Sequence, residues 1–358
     1  MEIDRREFLK RIGMTAAAAA AFGGAAVALH DRRGAECLLN PGVFRYNNRI
    51  GLLLRVAERP PQQPGWITTP ILDPGAEDGV RLLRVRRDDP DVDASDPRVF
   101  IYRGETYLTT LSHLRLAWSH DGVSFSVEEA PALEGMGPLE SYGMEDCRVV
   151  QLEGRYCLTY TAVSASGFGV GLITTTDWRH FTRHGMIFPP PNKDCALFPR
   201  KIKDAYMALH RPSGLGIGGS YIWAARSPDL LHWGDHRCVA TTRPGCWDSA
   251  RVGAGASPIE TPAGWLEIYH GADQKNRYCL GALLLDLENP STVLGRSEAP
   301  LMEPTTPYER KGFFGNVVFT NGHLVENETI TLYYGAADEV ICGATLSLSQ
   351  VLASLATG

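Results

Sequence analysis

Along most of the chain, short runs of apolar, aromatic and β-branched residues alternate with polar positions and stop at Gly, Asp, Asn or Pro. "RIGLLLRV" (49–56), "TYLTTL" (106–111), "RYCLTYTAV" (155–163), "AYMALHR" (205–211), "GWLEIYHG" (264–271) and "ETITLYYG" (328–335) are of this kind. Such runs predict strands bounded by turns. Helical periodicity is scarce, and "LSQVLASLA" (348–356) is the best helical candidate. The pattern predicts an all-β chain.

A weak internal echo gives the strands an order. "WSHDGVSF", "TTTDWRHF" and "RSPDLLHW" each place an aspartate four residues before an aromatic, at Asp121/Phe125, Asp177/Phe181 and Asp229/Trp233. A period of roughly 40–50 residues or slightly more suits a four-stranded propeller blade, with the aspartate in a turn and the aromatic between blades. The chain length then favours five or six blades over seven, and a long β-sandwich is the competing fold. The segment 57–98, rich in Pro and Asp, breaks the strand rhythm. It reads as an insertion at the active face or as an oligomer contact, which leaves a homo-oligomer open.

The N-terminus, "MEIDRREFLKRIGMTAAAAAAFGGAAVALHD", adds a separate element. Arg5 and Arg6 precede Phe8, an Ala/Gly-rich stretch and the small trio Ala26-Val27-Ala28. That order predicts a twin-arginine signal peptide over residues 1–28, followed by a catalytic domain over 37–358. The apolar stretch is short and alanine-rich, so no permanent membrane span is expected after cleavage. The expected location is periplasmic or extracellular.

Composition narrows the chemistry. The 358 residues are 44% hydrophobic and 21% charged, with a net charge of -6. An acidic balance without a basic stripe argues against a nucleic-acid partner and favours small neutral substrates. The eight cysteines include no C-x-x-C pair and no Cys/His spacing of the zinc type, so no metal and no organic cofactor are expected.

The polar motifs are scattered: "NPGVFRYNNRIGLLLRVAE" (40–58), "MEDCRV" (144–149), "NKDCALFPRKI" (192–202), "ALHRPSG" (208–214), "WDSARVGAGASPIET" (247–261), "EIYHGAD" (267–273) and "YYGAAD" (333–338). In their order and combination, over nearly all of the chain beyond the signal, they resemble glycoside hydrolase family 130. That family comprises five-bladed propeller mannoside phosphorylases and their hydrolytic relatives. The resemblance implies inverting phosphorolysis of a β-mannoside, mannobiose or a mannooligosaccharide, to α-mannose 1-phosphate, with inorganic phosphate as co-substrate.

It also implies roles. Asp146 matches the family's acid, which protonates the leaving oxygen through the mannosyl 3-hydroxyl, and Arg148 beside it holds its geometry or touches substrate. Lys193, Arg211 and His270 resemble phosphate ligands, and an anion in a partly dry pocket needs such converging cations and donors. Asn40, Arg55 and Asp338 resemble contacts to the mannosyl hydroxyls. Glu145 reads as structural, and Trp66 and Trp247 are either core residues or stacking platforms for a sugar.

Two positions depart from the family pattern: Cys147 stands for the expected proline, and Arg200 stands where glutamate is frequent, adding a cation near Lys193. Two further readings compete with the phosphorylase. An exported β-mannosidase needs a base carboxylate roughly 6.5–9.5 Å from the acid, with Glu260 and Glu267 as candidates. A non-catalytic sugar-binding propeller needs Asp146 to point away from the channel.

Overall fold

The computed structural model describes residues 4–9, 35–76, 79–214 and 216–355. Nearly all regular structure is strand, and the C-terminal segment forms the expected helix, Leu348–Leu355. The strands build five antiparallel sheets in chain order, each led by one strand: Ala35–Tyr46, Met144–Leu152, Asn192–Leu197, the interrupted pair Arg251–Gly253 and Ile259–Thr261, and Val318–Glu326. Successive sheets share apolar cores. Phe44 and Leu53 of the first meet Met144 and Leu158 of the second; the series continues through the third and fourth sheets and returns to the first, where Tyr333 and Ile341 of the fifth pack on Leu52 and Leu54.

The repeated aspartates are the turn formers that the sequence predicts. Asp121 accepts the N–H groups of Val123 and Ser124, Asp177 those of Arg179 and His180, and Asp229 those of Leu231 and His232. Asp286 repeats the device in the fourth sheet. The aromatics pack backwards onto the preceding sheet, Phe125 at 5.7 Å from Tyr333 and Trp233 at 5.3 Å from Phe188. One short side-chain turn thus fixes both the last hairpin of a sheet and its contact with a neighbour.

The fifth sheet takes its fourth strand from the N-terminus. Asp4–Leu9 pairs antiparallel with Val340–Ser347, Arg5 opposite Ala344 and Arg6 opposite Gly343. The twin-arginine pair therefore lies in a sheet, where the sequence predicts a removable signal; the rest of that signal, residues 1–3 and 10–28, lies outside the described residues. The segment expected as an insertion is one: between Glu58 and Leu111 the chain leaves the first sheet to form a two-stranded and a three-stranded sheet of its own.

Each leading strand breaks its ladder beside the centre of the molecule. The register shifts between Leu39 and Gly42, between Glu145 and Arg148, between Lys193 and Ala196, and between Thr320 and Gly322. In the fourth sheet the strand is interrupted outright between Gly253 and Ile259. Asn40, Asp146 and Asp194 take left-handed backbone there, with φ of 33°, 49° and 53°. Asn and Asp tolerate this region better than other side chains, and a bulge re-aims its residue out of the strand's alternation. The strands approach closely at these points: a Cβ on Gly42 would stand 2.9 Å from the Cys147 carbonyl oxygen.

Candidate active site

The bulges open onto a cavity of about 290 Å3 lined from all five sheets. Asn40 and Arg55 come from the first, Glu145 and Asp146 from the second, Lys193, Asp194 and Arg211 from the third, Tyr278 from the fourth, and Phe319 and Asp338 from the fifth. The excursion contributes Asp96 and Arg98, which places it on the active face as the sequence suggests.

Asp146 is 4% exposed. Its Oδ1 accepts from Asn40 Nδ2 and from Arg55 Nη1, both at 3.0 Å. Arg55 is fixed by its other nitrogens, Nη2 donating to Glu145 at 2.7 Å and Nε to Ser112 at 3.0 Å. Burial alone would raise the Asp146 pKa, but Arg55, Lys193, Arg148 and the Asn40 hydrogen bond outweigh it and hold the carboxyl at about 2. Without substrate, the acid is an anion.

Asp338 shows the opposite balance. Burial dominates, the neighbouring Asp146 charge adds to it, and its pKa rises to about 6 against the opposing pull of Arg55 and Arg98. The two carboxyls on one cavity wall are thereby driven apart.

Beside them lies Asp194, 1% exposed, ion-paired with Arg148 at 3.1 Å and Arg211 at 3.1 Å and with His270 Nε2 at 3.2 Å. Burial opposes its charge, yet Arg211, His270 and Arg148 keep its pKa well below the ordinary value. Arg148 ties this hub to the acid: Nη1 donates to the Asp146 carbonyl at 2.8 Å, Nε to that of Gly255 at 3.0 Å and Nη2 to that of Ala254 at 2.9 Å.

Of the residues that the sequence singles out, Asn40, Arg55, Asp146, Lys193, Arg211 and Asp338 share the cavity wall. Arg148 and His270 do not. Arg148 is 3% exposed and occupied by carbonyls and Asp194, so it holds the acid's loop and does not face substrate. His270 is fully buried, its ring 4.2 Å from Phe319, and burial lowers its pKa to about 4, so it stands neutral behind Asp194. Glu145, read as structural from sequence, lines the cavity as the partner of Arg55.

Trp247 is a core residue, the first of its two expected readings, buried against Tyr269 at 5.4 Å, and Trp66 lies under Arg84 and Arg86; neither lines the cavity. Arg200 is an exposed partner of Glu260, so it adds no cation beside Lys193. Cys147 is the buried residue after the bulge and packs in the core between the first two sheets. Asp194 was within reach of sequence reasoning, because "EDC" at 145–147 and "KDC" at 193–195 repeat the same x-Asp-Cys step one sheet apart. Asp96, Arg98 and Tyr278 carry no such signal.

Lys193 has no carboxylate within ion-pair distance among the described residues, and its Nζ sits 5.8 Å from the Phe168 ring. Arg211 Nε is buried without a hydrogen-bond partner. A buried donor of this kind is costly unless something accepts from it, and an anion in the cavity is the group that both Lys193 and Arg211 would take.

Comparison with known proteins agrees with this geometry. The family model for glycoside hydrolase family 130, described as beta-1,4-mannooligosaccharide phosphorylase, matches residues 92–356. The chain is 44% identical over 321 residues to a beta-1,2-mannobiose phosphorylase of Listeria innocua, covering 88% of this chain and 90% of that one. It is 40% identical over 246 residues to a 1,2-beta-oligomannan phosphorylase of a Thermoanaerobacter species, covering 67% and 80%. A solved structure of the Listeria innocua beta-1,2-mannobiose phosphorylase with beta-1,2-mannobiose superimposes over 100% of both chains, with a TM-score of 0.93 and 40% identity. With the match spanning most of the chain and the motif residues gathered at one cavity, this protein belongs to glycoside hydrolase family 130.

Proposed function

We propose that the protein is an inverting β-mannoside phosphorylase with β-1,2-mannobiose as its substrate, built as a five-bladed propeller whose blades are the five sheets. The observation that carries the reaction type is the pairing of one acid, Asp146, with cationic and donor groups that lack partners, Lys193 and the Arg211 Nε, on the same cavity wall. The linkage rests on the relatives named for β-1,2-mannosides.

In this mechanism Arg55, Asn40 and Asp338 hold the mannosyl hydroxyls while Lys193 and Arg211 hold phosphate on the far side of the anomeric carbon. Phosphate oxygen bonds to that carbon as the glycosidic C–O bond breaks. Asp146 gives its proton, through the sugar's 3-hydroxyl, to the leaving oxygen; the proton released from phosphate on ester formation goes to solvent, from which Asp146 is reprotonated. An anionic Asp146 must first gain that proton. Phosphate supplies the means, because its charge beside Lys193 and Arg211 cancels part of the field that keeps the carboxyl ionised. No metal or organic cofactor takes part.

The hydrolase reading is weakened by its base candidates: Glu260 is on the surface with Arg200, and Glu267 is buried and off the cavity wall. The non-catalytic reading needs Asp146 turned away, and it lines the cavity. A panel of β-1,2-, β-1,3- and β-1,4-mannobiose with phosphate tests the substrate: the first should be cleaved fastest, and preference for another linkage would overturn that assignment.

For location, the twin-arginine route out of the cytoplasm is the proposal, supported by the order Arg5-Arg6, Phe8, Ala-rich stretch and small trio. A fusion of residues 1–35 to a reporter should be exported, and Arg5→Lys with Arg6→Lys should stop it. A reporter that stays inside in both cases would refute the signal.

A further inference from the structure

Glu267 is a fully buried carboxyl that the reaction leaves unused. It stands on the second strand of the fourth sheet, Gly264–Ala272, next to the gap between Gly253 and Ile259 where the leading strand has no ladder. Its Oε1 accepts the Gly255 N–H at 2.7 Å, in place of a missing strand-to-strand bond. The backbone there is as close as it can come: a Cβ on Gly255 would lie 2.1 Å from the Ile268 carbonyl oxygen. The same short segment turns the carbonyls of Ala254 and Gly255 toward Arg148, whose Nη1 then reaches the Asp146 carbonyl. Oε2 of Glu267 is buried with no partner.

We propose that Glu267 is a positioning residue: it holds the Ala254-Gly255 segment that seats Arg148 and, through Arg148, the left-handed turn that presents Asp146. This rests on the phosphorylase reading only for the activity used to follow it. Among the described residues, the groups whose hydrogen bond or charge reaches the carboxyl are the Gly255 N–H and the Arg148 guanidinium; burial outweighs both and raises its pKa to about 8. Neutrality matters because an anion at that place competes with the Asp146 carbonyl and with Asp194 for Arg148. Loss of the proton at alkaline pH therefore loosens the acid's loop without changing any residue that touches substrate.

The experiment is the pH dependence of kcat and KM, between pH 6 and 10, for wild type, Glu267→Gln and Glu267→Leu on β-1,2-mannobiose with phosphate. Wild-type kcat should fall above about pH 8, one proton per site. Glu267→Gln keeps the acceptor for Gly255 and cannot ionise, so it should match wild type within about twofold at pH 7 and lack the alkaline fall. Glu267→Leu leaves the Gly255 N–H buried and unpaired, and should lower kcat about tenfold at pH 7 with little change in either KM. An alkaline fall retained in Glu267→Gln, a Gln variant inactive at pH 7, or a Leu variant equal to wild type would each overturn the proposal. Wild type that cleaves without phosphate refutes the phosphorylase reading alone, since the three proteins are then compared on that cleavage.

Discussion

Asp146 and Asp194 are the same residue type in the same local setting. Each follows a charged residue, precedes a buried cysteine, interrupts the leading strand of its sheet and takes left-handed backbone, with φ of 49° and 53°. Their surroundings separate them. Asp194 has Arg148, Arg211 and His270 all within 3.2 Å, and its proton affinity is very low. Asp146 is held on one oxygen, by Asn40 and by Arg55 as its nearest cation, although both carboxyls line the cavity. The backbone device only delivers a carboxyl to the centre of the molecule. What it does there depends on how many cations crowd against it.

The sharpest break in the comparison is Asp146→Asn. An amide cannot supply the leaving-group proton, so kcat should fall about a thousandfold while the melting temperature stays near wild type. Retention of more than a small fraction of turnover would remove Asp146 from the acid role. Asp194→Asn should reverse the emphasis. It leaves Arg148 and Arg211 buried without their counter-charge, so stability to urea should drop by about 3 kcal/mol, with activity lost because the acid's loop and the anion site loosen together. Unchanged stability would mean that Asp194 is not the hub described.

The two cations of the third sheet sharpen the same contrast. Arg211→Ala should raise the KM for phosphate about thirty- to a hundredfold and also lower stability, since Arg211 balances Asp194. Lys193→Ala, which breaks no ion pair, should raise the same KM about tenfold with stability unchanged. Equal stability losses in both would contradict the division of roles.

The smallest effect concerns Asp338. A carboxyl whose pKa is raised to about 6 in the folded protein binds more protons folded than unfolded. Its contribution to stability is present below its ordinary value and lost as pH rises through about 6. Asp338→Asn should therefore be more stable than wild type at pH 7 by about 1 kcal/mol and indistinguishable from it at pH 3.5, as read by denaturant titration. A difference independent of pH would mean that the carboxyl is not the cause.

The sequence shows part of this design plainly. Strand runs are local patterns, and the aspartate turns are local chemistry, so both are legible without a structure. Asn40, Asp146, Lys193 and Arg211 are legible because they sit in motifs. The roles of Arg148 and His270 are not: a guanidinium beside an acid and a histidine near phosphate ligands read as contacts to substrate, and only the third dimension shows Asp194 and three backbone carbonyls occupying them. The pairing of Asp4–Leu9 with the C-terminal sheet is equally hidden, since it joins residues from opposite ends of the chain.

The account stands on Lys193 and Arg211 holding phosphate opposite Asp146. The most direct measurement is the initial rate on β-1,2-mannobiose against phosphate concentration, with the sugar phosphate followed by phosphorus NMR. The account predicts a rate near zero without phosphate, saturation as phosphate is added, and α-mannose 1-phosphate equal in amount to the mannose released. Free mannose formed at the same rate with phosphate absent, in two equivalents per bond cleaved, would contradict it.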